Sequence, residues 1–354
     1  MNDSPTEPGV LYRSEVREQP HALERLLADQ AGVVAAGRAI AGRAPSFVRL
    51  VGHGSSDNAA AYGVYAFGLL GGLPAFRDSI SLAVYYGAEH RFDRSVVVAL
   101  SQSGRTPDVV RYVELARRNG ALTIGLTNEP RSELADAAEI VVDLHAGTEQ
   151  SIAATKTYTN QLAALALLAA SVDGRERDVA DGLHHTAAAV AASLDGLERA
   201  VEPVAVSFSF VGRMFVVGRG VEFATAREIA LKLTETCRVA AEPLTSTDLS
   251  HGPVAALDGL FPVWAIATRD PSLPTVVEAC ARVRDAGAVL VASGSAASEV
   301  GVADVVLPVA DAPLPILAPL LSVVPGQLFA ASLARAKGLD PDRPMGLQKV
   351  TLAR

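Results

Sequence analysis

The stretch SVVVALSQSGRTPDVVRYVELARR, residues 95–118, decides the fold. Ser95 to Leu100 is a short β-branched run and reads as a strand, whereas Pro107 to Arg118 is longer and reads as a helix. Between them Ser101-Gln-Ser-Gly-Arg-Thr106 turns directly from strand into helix, and Thr106, Pro107 and Asp108 suit the N-cap and first-turn positions. That geometry favours an anion. Hydroxyls from Ser101, Ser103 and Thr106, the Gln102 amide and helix N-terminal N–H groups are all donors for phosphate oxygens, with Arg105 adding charge nearby. A lone Ser-x-Ser-Gly reads as a polar connecting turn; its place after a strand reverses that preference.

The same alternation extends in both directions. Phe47 to Gly52, Ala121 to Leu126 and Glu139 to Leu144 read as strands, Asp57 to Leu70 as a helix, and Lys156 to Val172 and Arg175 to Ala200 as two long helices. Strand alternating with helix implies a parallel sheet. The strand pattern then restarts at Met214 to Gly218, and the restart is a repeat. Gly52-His-Gly54 answers Gly218-Arg-Gly220, Val97 answers Val263 and Ala137 answers Ala303, each 166 residues on. That period is too long for a solenoid unit, so the chain reads as two copies of one α/β domain, each a parallel sheet flanked by helices. The expected division is an N-terminal helical segment (1–44), a first domain with trailing helices (45–200), a second domain (201–337) and a C-terminal tail (338–354).

Composition agrees with that reading and excludes others. At roughly 150 residues per domain, 354 residues lean towards two. Hydrophobic residues at 49% and charged residues at 20% are a globular balance rather than a disordered one. The formal charge of −8 repels a polyanion, so no nucleic-acid partner is expected. Cys237 and Cys280 lack neighbours at metal-ligand spacing, which predicts free thiols in a reducing, cytoplasmic setting and no metal. The longest unbroken apolar run, Leu162 to Ala170, is too short to span a bilayer, so no membrane partner is expected.

Four further groups of residues bear on chemistry. Gly52-His-Gly-Ser-Ser-Asp57 is a second strand-to-helix turn, in which Ser55 and Ser56 are donors. A dinucleotide fingerprint is the weaker alternative there, because Asp57 replaces its third glycine, although Asp78 could mimic the ribose-binding acid. Glu228, Lys232 and Glu235 fall on one helix face, a spacing that by itself reads as solvated ion pairs. His251, in Asp248-Leu-Ser-His-Gly-Pro253, has the side chain suited to proton transfer near neutrality. Finally, the stretch from Asp340 to Thr351 holds too many turn residues for a helix, yet Lys349 sits among apolar neighbours, and Val350 and Leu352 favour packing over fraying.

Together these residues resemble the double-SIS-domain sugar-phosphate isomerases: the isomerase half of glucosamine-6-phosphate synthase and the SIS-type glucosamine-6-phosphate deaminases. The resemblance rests on Glu18-Gln-Pro20, Gly54-Ser-Ser56, Ser101-Gln-Ser-Gly104 with Thr106, Ala146-Gly-Thr-Glu149 with Thr155-Lys156, Glu228 to Glu235, His251-Gly-Pro253 and Leu347-Gln-Lys-Val-Thr351. It implies two tandem SIS domains, each a flavodoxin-like or Rossmann-like sandwich. It implies that Ser55, Ser56, Ser101, Gln102, Ser103, Thr106, Ile152 and Lys232 bind a small-molecule sugar phosphate without a cofactor. It also implies that Glu235 moves a proton between C1 and C2. His251 would assist ring opening from a neighbouring subunit of a homodimer, and Lys349 would contact or condense with the open-chain carbonyl.

Departures from the pattern shape the functional expectation. Ala154 stands where the synthase pattern has serine, Arg105 where it has glutamate, and residue 2 is asparagine with no amidotransferase domain before Glu18. The expected activity is therefore conversion of glucosamine 6-phosphate to fructose 6-phosphate and ammonia. The alternatives are the isomerase half of a glutamine:fructose-6-phosphate aminotransferase, a fructose-amine 6-phosphate deglycase, and a sugar-phosphate sensor without turnover. A sensor would need only the phosphate turns, whereas Glu235, His251 and Lys349 are all present.

Overall fold

The computed structural model describes residues 7–88 and 90–349. The chain forms two compact units, neither continuous in sequence. One comprises residues 21–148, 156–187 and the end of the chain from Gln348; the other comprises the start of the chain to Pro20, residues 149–155 and residues 188–347. The division into 45–200 and 201–337 follows the two sheets instead, and we retain it as a proposal about the duplicated unit.

The helices α1 (Val10–Ala28) and α2 (Ala31–Arg43) precede the first sheet. There follow β1 (Phe47–Val51), α3 (Ser55–Leu70), β2 (Ala75–Arg77), α4 (Ile80–Val84), β3 (Ser95–Leu100), α5 (Pro107–Arg118), β4 (Leu122–Thr127), α6 (Glu133–Ala137) and β5 (Ile140–Asp143). The long helices α7 (Lys156–Val172) and α8 (Glu176–Ser207) lead to the second sheet. Its elements are β6 (Arg213–Gly218), α9 (Glu222–Cys237), β7 (Ala240–Thr245), α10 (Ser246–Ser250), β8 (Pro262–Ile266), α11 (Leu273–Asp285), β9 (Val289–Gly294), β10 (Val305–Pro308) and α12 (Ala318–Ala336).

The first sheet has the order β2-β1-β3-β4-β5 and the second the order β7-β6-β8-β9-β10. Every pairing in both is parallel, with Phe47 opposite Ser95 in one and Phe215 opposite Val263 in the other. Both are the doubly wound order in which the chain steps from the first strand to one neighbour and returns past it to the other. The repeat read from the sequence is therefore a repeat of topology.

Burial follows from that order. The central strands β3, β4 and β8 are buried along their whole length, as apolar runs covered on both faces must be. Helices α7 and α12 are buried almost throughout, α7 against α3 and α12 against α9. Among the described residues, the segment Pro315–Ala336 alone is long and apolar enough to cross a membrane, and 94% of it is buried inside the protein. It is a core helix, consistent with an apolar surface all round.

Candidate active site

In a doubly wound sheet the ligand crevice opens where the strand order reverses, outside the strand C-terminal ends. In the first sheet that point lies between β1 and β3, and the two turns found there are the Gly52 turn and Ser101–Thr106. His53 Nε2 lies 2.7 Å from Asp108 Oδ2, which ties the first turn to the start of α5.

The Ser101–Thr106 turn is held from below by backbone. Ser101 N–H donates to the Leu126 carbonyl at 3.1 Å, Asn128 N–H to the Gln102 carbonyl at 3.0 Å and Leu134 N–H to the Gly104 carbonyl at 2.9 Å. Gly104 has φ +62°, and a Cβ there would stand 2.0 Å from Ser132 Oγ, so only glycine fits. The hydroxyls of Ser101 and Thr106 lie 3.0 Å apart, and Ser103 Oγ accepts from Arg105 N–H at 3.3 Å. Backbone N–H groups of Gln102, Ser103 and Thr106 have no partner among the described residues. Thr106 occupies the N-cap position of α5 but turns its hydroxyl to Ser101 instead of capping. The helix end is also less open than its sequence suggests, because Val109 N–H is taken by Asp108 Oδ1 at 2.9 Å.

The neighbouring turn is divided between roles. Ser55 is half-buried at the first position of α3, whereas Ser56 is buried and its Oγ accepts from Gln161 Nε2 of α7 at 2.9 Å. Asp57 pairs with Arg77 at 2.6 Å. Asp78 is bound by Arg49 and by the Tyr112 hydroxyl. Burial pushes its pKa up, but the hydrogen bonds from Tyr112 and Arg49 outweigh this and hold it below the usual carboxylate range. A ribose hydroxyl would meet an occupied carboxylate, which removes the dinucleotide alternative.

In the other unit, helix α9 carries the ionisable cluster. Glu228 and Lys232 are fully buried and the Glu235 side chain is 23% exposed, so the solvated-pair reading of this spacing does not hold. Lys232 Nζ lies 2.5 Å from Glu235 Oε2 and 3.5 Å from Glu228 Oε1. Burial pulls the Lys232 pKa down, but Glu235, Glu228 and Glu149 more than offset it, so the ammonium is held above its ordinary range. The result is a carboxylate fixed by a buried cation on one side and open on the other.

Glu149, which the sequence placed in a motif but gave no role, is buried and accepts from Thr155 N–H at 2.8 Å. Ile152 is half-buried in the same segment. His251 is exposed at the C-terminal end of α10. Lys349 is half-buried and groups with the unit of the Ser101–Thr106 turn, while Val350 and Leu352 lie outside the described residues. Among the described residues, no three His, Cys, Asp or Glu side chains are placed to hold a metal ion.

Residues 48–171 match the family model of the SIS domain. A candidate phosphosugar isomerase from Silicibacter pomeroyi DSS-3 is 34% identical with a TM-score of 0.83, over 94% of this chain and 99% of that one. The chain belongs to the SIS sugar-phosphate isomerase family. Its two sheets are tandem SIS domains, and the C-terminal domain of glucosamine-fructose-6-phosphate aminotransferase from Francisella tularensis superposes with a TM-score of 0.85 at 26% identity, over 97% of this chain and 100% of that one. The glutamine–fructose-6-phosphate aminotransferase of Gloeobacter violaceus is 33% identical over 95% of this chain. The chain spans 57% of that relative's length.

Proposed function

We propose that this SIS protein interconverts an amino sugar 6-phosphate and its ketose, most simply glucosamine 6-phosphate to fructose 6-phosphate and ammonia. The observation that carries the reading is Glu235, a half-open carboxylate whose partner Lys232 is wholly buried. Such a base is fixed in position by the buried ammonium, while one face stays available to a substrate carbon. Ser101, Gln102, Ser103 and Thr106 supply the phosphate donors, with Ser55, Ser56 and Ile152 beside the sugar.

The chemistry balances without a cofactor. In the open-chain aldose, Glu235 takes the C2 proton, the C2–H electron pair becomes the C1–C2 double bond, and the C1 carbonyl π pair moves onto O1, which takes a proton from solvent, giving the enolamine. The proton returns to C1, leaving an imine at C2 that water hydrolyses to the ketone and ammonia. His251, contributed by a second copy of the chain, assists ring opening, and Lys349 engages the open-chain carbonyl. The free thiols Cys237 and Cys280 suit a reducing, cytoplasmic setting.

The resemblance to the Gloeobacter aminotransferase favours a second reading, in which the same proton transfer runs towards the amino sugar with ammonia from a separate source. One assay separates the two. The chain is incubated without glutamine with the 6-phosphates of glucosamine, galactosamine and a fructose-amine, measuring ammonia and ketose phosphate, and separately with fructose 6-phosphate and ammonium, measuring amino sugar phosphate. Release from glucosamine 6-phosphate is expected. Product only from fructose 6-phosphate with ammonium selects the reverse direction, release only from the glycated amine selects a deglycase, and binding without turnover selects a sensor.

A further inference from the structure

Three segments remote in sequence meet at buried Asp342. Its Oδ1 accepts from Tyr12 N–H at 2.7 Å and its Oδ2 from Leu11 N–H at 3.1 Å. These are first-turn amides of α1, which have no partner within the helix. The Asp342 carbonyl accepts from Ile152 N–H at 3.2 Å, and its own N–H donates to Asp340 Oδ1 at 3.0 Å. The fit is close: Gly9 has φ +82°, and a Cβ there would lie 2.9 Å from Pro341 Cγ.

A second carboxylate fastens the same segments from the helix side. Glu15, one turn along α1 from Leu11 and Tyr12, accepts from Gln150 N–H, from Ser151 N–H at 3.2 Å and from the Ser151 hydroxyl. The loop so gripped runs from Glu149 to Thr155, and Glu149 closes it by accepting from Thr155 N–H at 2.8 Å. Both ends of this arrangement bear on the α9 cluster. Glu149 acts electrostatically on Lys232, and the buried Tyr12 hydroxyl, its pKa held well above its usual range chiefly by burial, also feels the Glu228 and Glu235 carboxylates.

We propose that Asp342 is a positioning residue, the clasp that binds the start of α1 and the loop 149–155 to the base of the C-terminal tail. An isolated loop with half its amides unpaired would fluctuate, and Ile152 and Glu149 with it. One buried residue replaces that freedom by a fixed geometry: its carboxylate takes the two α1 amides and its backbone carbonyl takes Ile152 N–H, so the carboxylate also fixes the carbonyl that the loop uses. The tail residues that follow, through Lys349, start from this fixed point.

The catalytic part of the inference rests on the proposed reaction; the structural part does not, and the test separates them. Amide hydrogen exchange followed by mass spectrometry is measured on the full chain without ligand, for wild type, Asp342→Ala and Asp342→Asn. The alanine variant is expected to exchange roughly tenfold faster at Leu11 and Tyr12, which lose their acceptor, and also at Ile152, whose acceptor carbonyl is no longer held in place by the carboxylate. Asparagine, which keeps one acceptor and the volume, is expected to fall between, and it decides the matter if alanine does not fold. Faster exchange confined to residues 340–343 overturns the clasp. With glucosamine 6-phosphate, kcat is expected to fall at least tenfold while KM changes little, with partial rescue by asparagine. A variant whose loop exchanges faster but whose kcat is unchanged overturns the positioning role. No turnover in the wild type refutes the reading of the reaction, and the exchange data still decide the clasp.

Discussion

Glu222 opens helix α9, the helix of Glu228, Lys232 and Glu235, yet it sits in the core with no cation bonded to it among the described residues. Its carboxyl accepts from Thr225 Oγ1 at 2.6 Å and from Ser322 Oγ of α12 at 2.9 Å. Burial raises its pKa from 4.5 to about 7, the two hydroxyls offset that in part, and Asp270 adds to the rise. A raised pKa means that the folded protein binds this proton more tightly than the unfolded chain. The stability it contributes is complete below about pH 4.5 and is lost as pH rises through about 7. A shift of about two and a half units corresponds to about 3 kcal/mol between those limits. Glu222→Gln keeps the shape and removes the titration. Carboxylates with lowered pKa, such as Asp78, Asp195 and Asp311, are already ionised in this window, and buried Glu15 titrates in both proteins. The difference between wild type and variant therefore isolates one group. Urea unfolding across pH 5 to 8 is expected to show the wild type weakening more steeply than the variant, with the variant more stable at pH 8. An equal fall in both proteins would refute the argument.

Further outcomes follow from the site. Ser103→Ala is expected to raise KM for a sugar 6-phosphate roughly tenfold with kcat nearly unchanged, in steady-state kinetics. Glu235→Gln should slow proton exchange at the sugar carbon by about two to four orders of magnitude while substrate still binds, as read by NMR in D2O. Lys232→Met leaves Glu228 buried without its cation and is expected to cost about 3 to 5 kcal/mol in denaturant unfolding. Deleting residues 347–354 should abolish turnover and leave phosphate binding by calorimetry intact, with Lys349→Ala reproducing most of the loss.

How much of this was legible in the sequence depended on the signal each element carries. Helices α5 and α7 begin and end where the sequence places them, because Thr106-Pro107 starts one and the apolar run Leu162 to Ala170 anchors the other. Strands β2 and β7 escaped notice. The first has three residues and the second carries Glu242 and Pro243, and both are edge strands, where one unpaired side and irregular composition erase the period. Helix α8 runs on to Ser207 through Pro203, beyond the expected end at Ala200. In the candidate site, the place of the Ser101–Thr106 turn between strand and helix was readable. The burial of Glu228 and Lys232 was not, because charge at helical spacing looks the same on a wet face as on a dry one until the packed neighbours are known. Asp342 and Glu15 were invisible for a related reason: their partners are backbone amides more than a hundred residues away.

The duplicated fold raises the question of why one crevice would hold phosphate and its copy would not. The positions correspond. Ser101 through Thr106 follows β3 as Ala267 through Ser272 follows β8, and Ser56 is matched by Glu222, each tied to the long helix packed on it, by Gln161 and Ser322. In the second copy, however, Asp270 Oδ1 accepts from Ser272 N–H at 2.7 Å and from its hydroxyl at 2.6 Å. Those are the donors a phosphate would use at the start of α11. The Arg269 guanidinium in that turn is spent on Glu299 and Asp311 at 2.7 Å. A carboxylate already seated at the helix start repels a second anion as well as taking its donors. The second copy thus carries its own anion in place of a ligand. The helix beside it, α9, is the one that gathers the buried carboxylates and ammonium instead. On the proposed reaction, binding falls to one copy of the fold and proton transfer to the other, and a stoichiometry of two phosphates per chain in calorimetry would contradict that proposal.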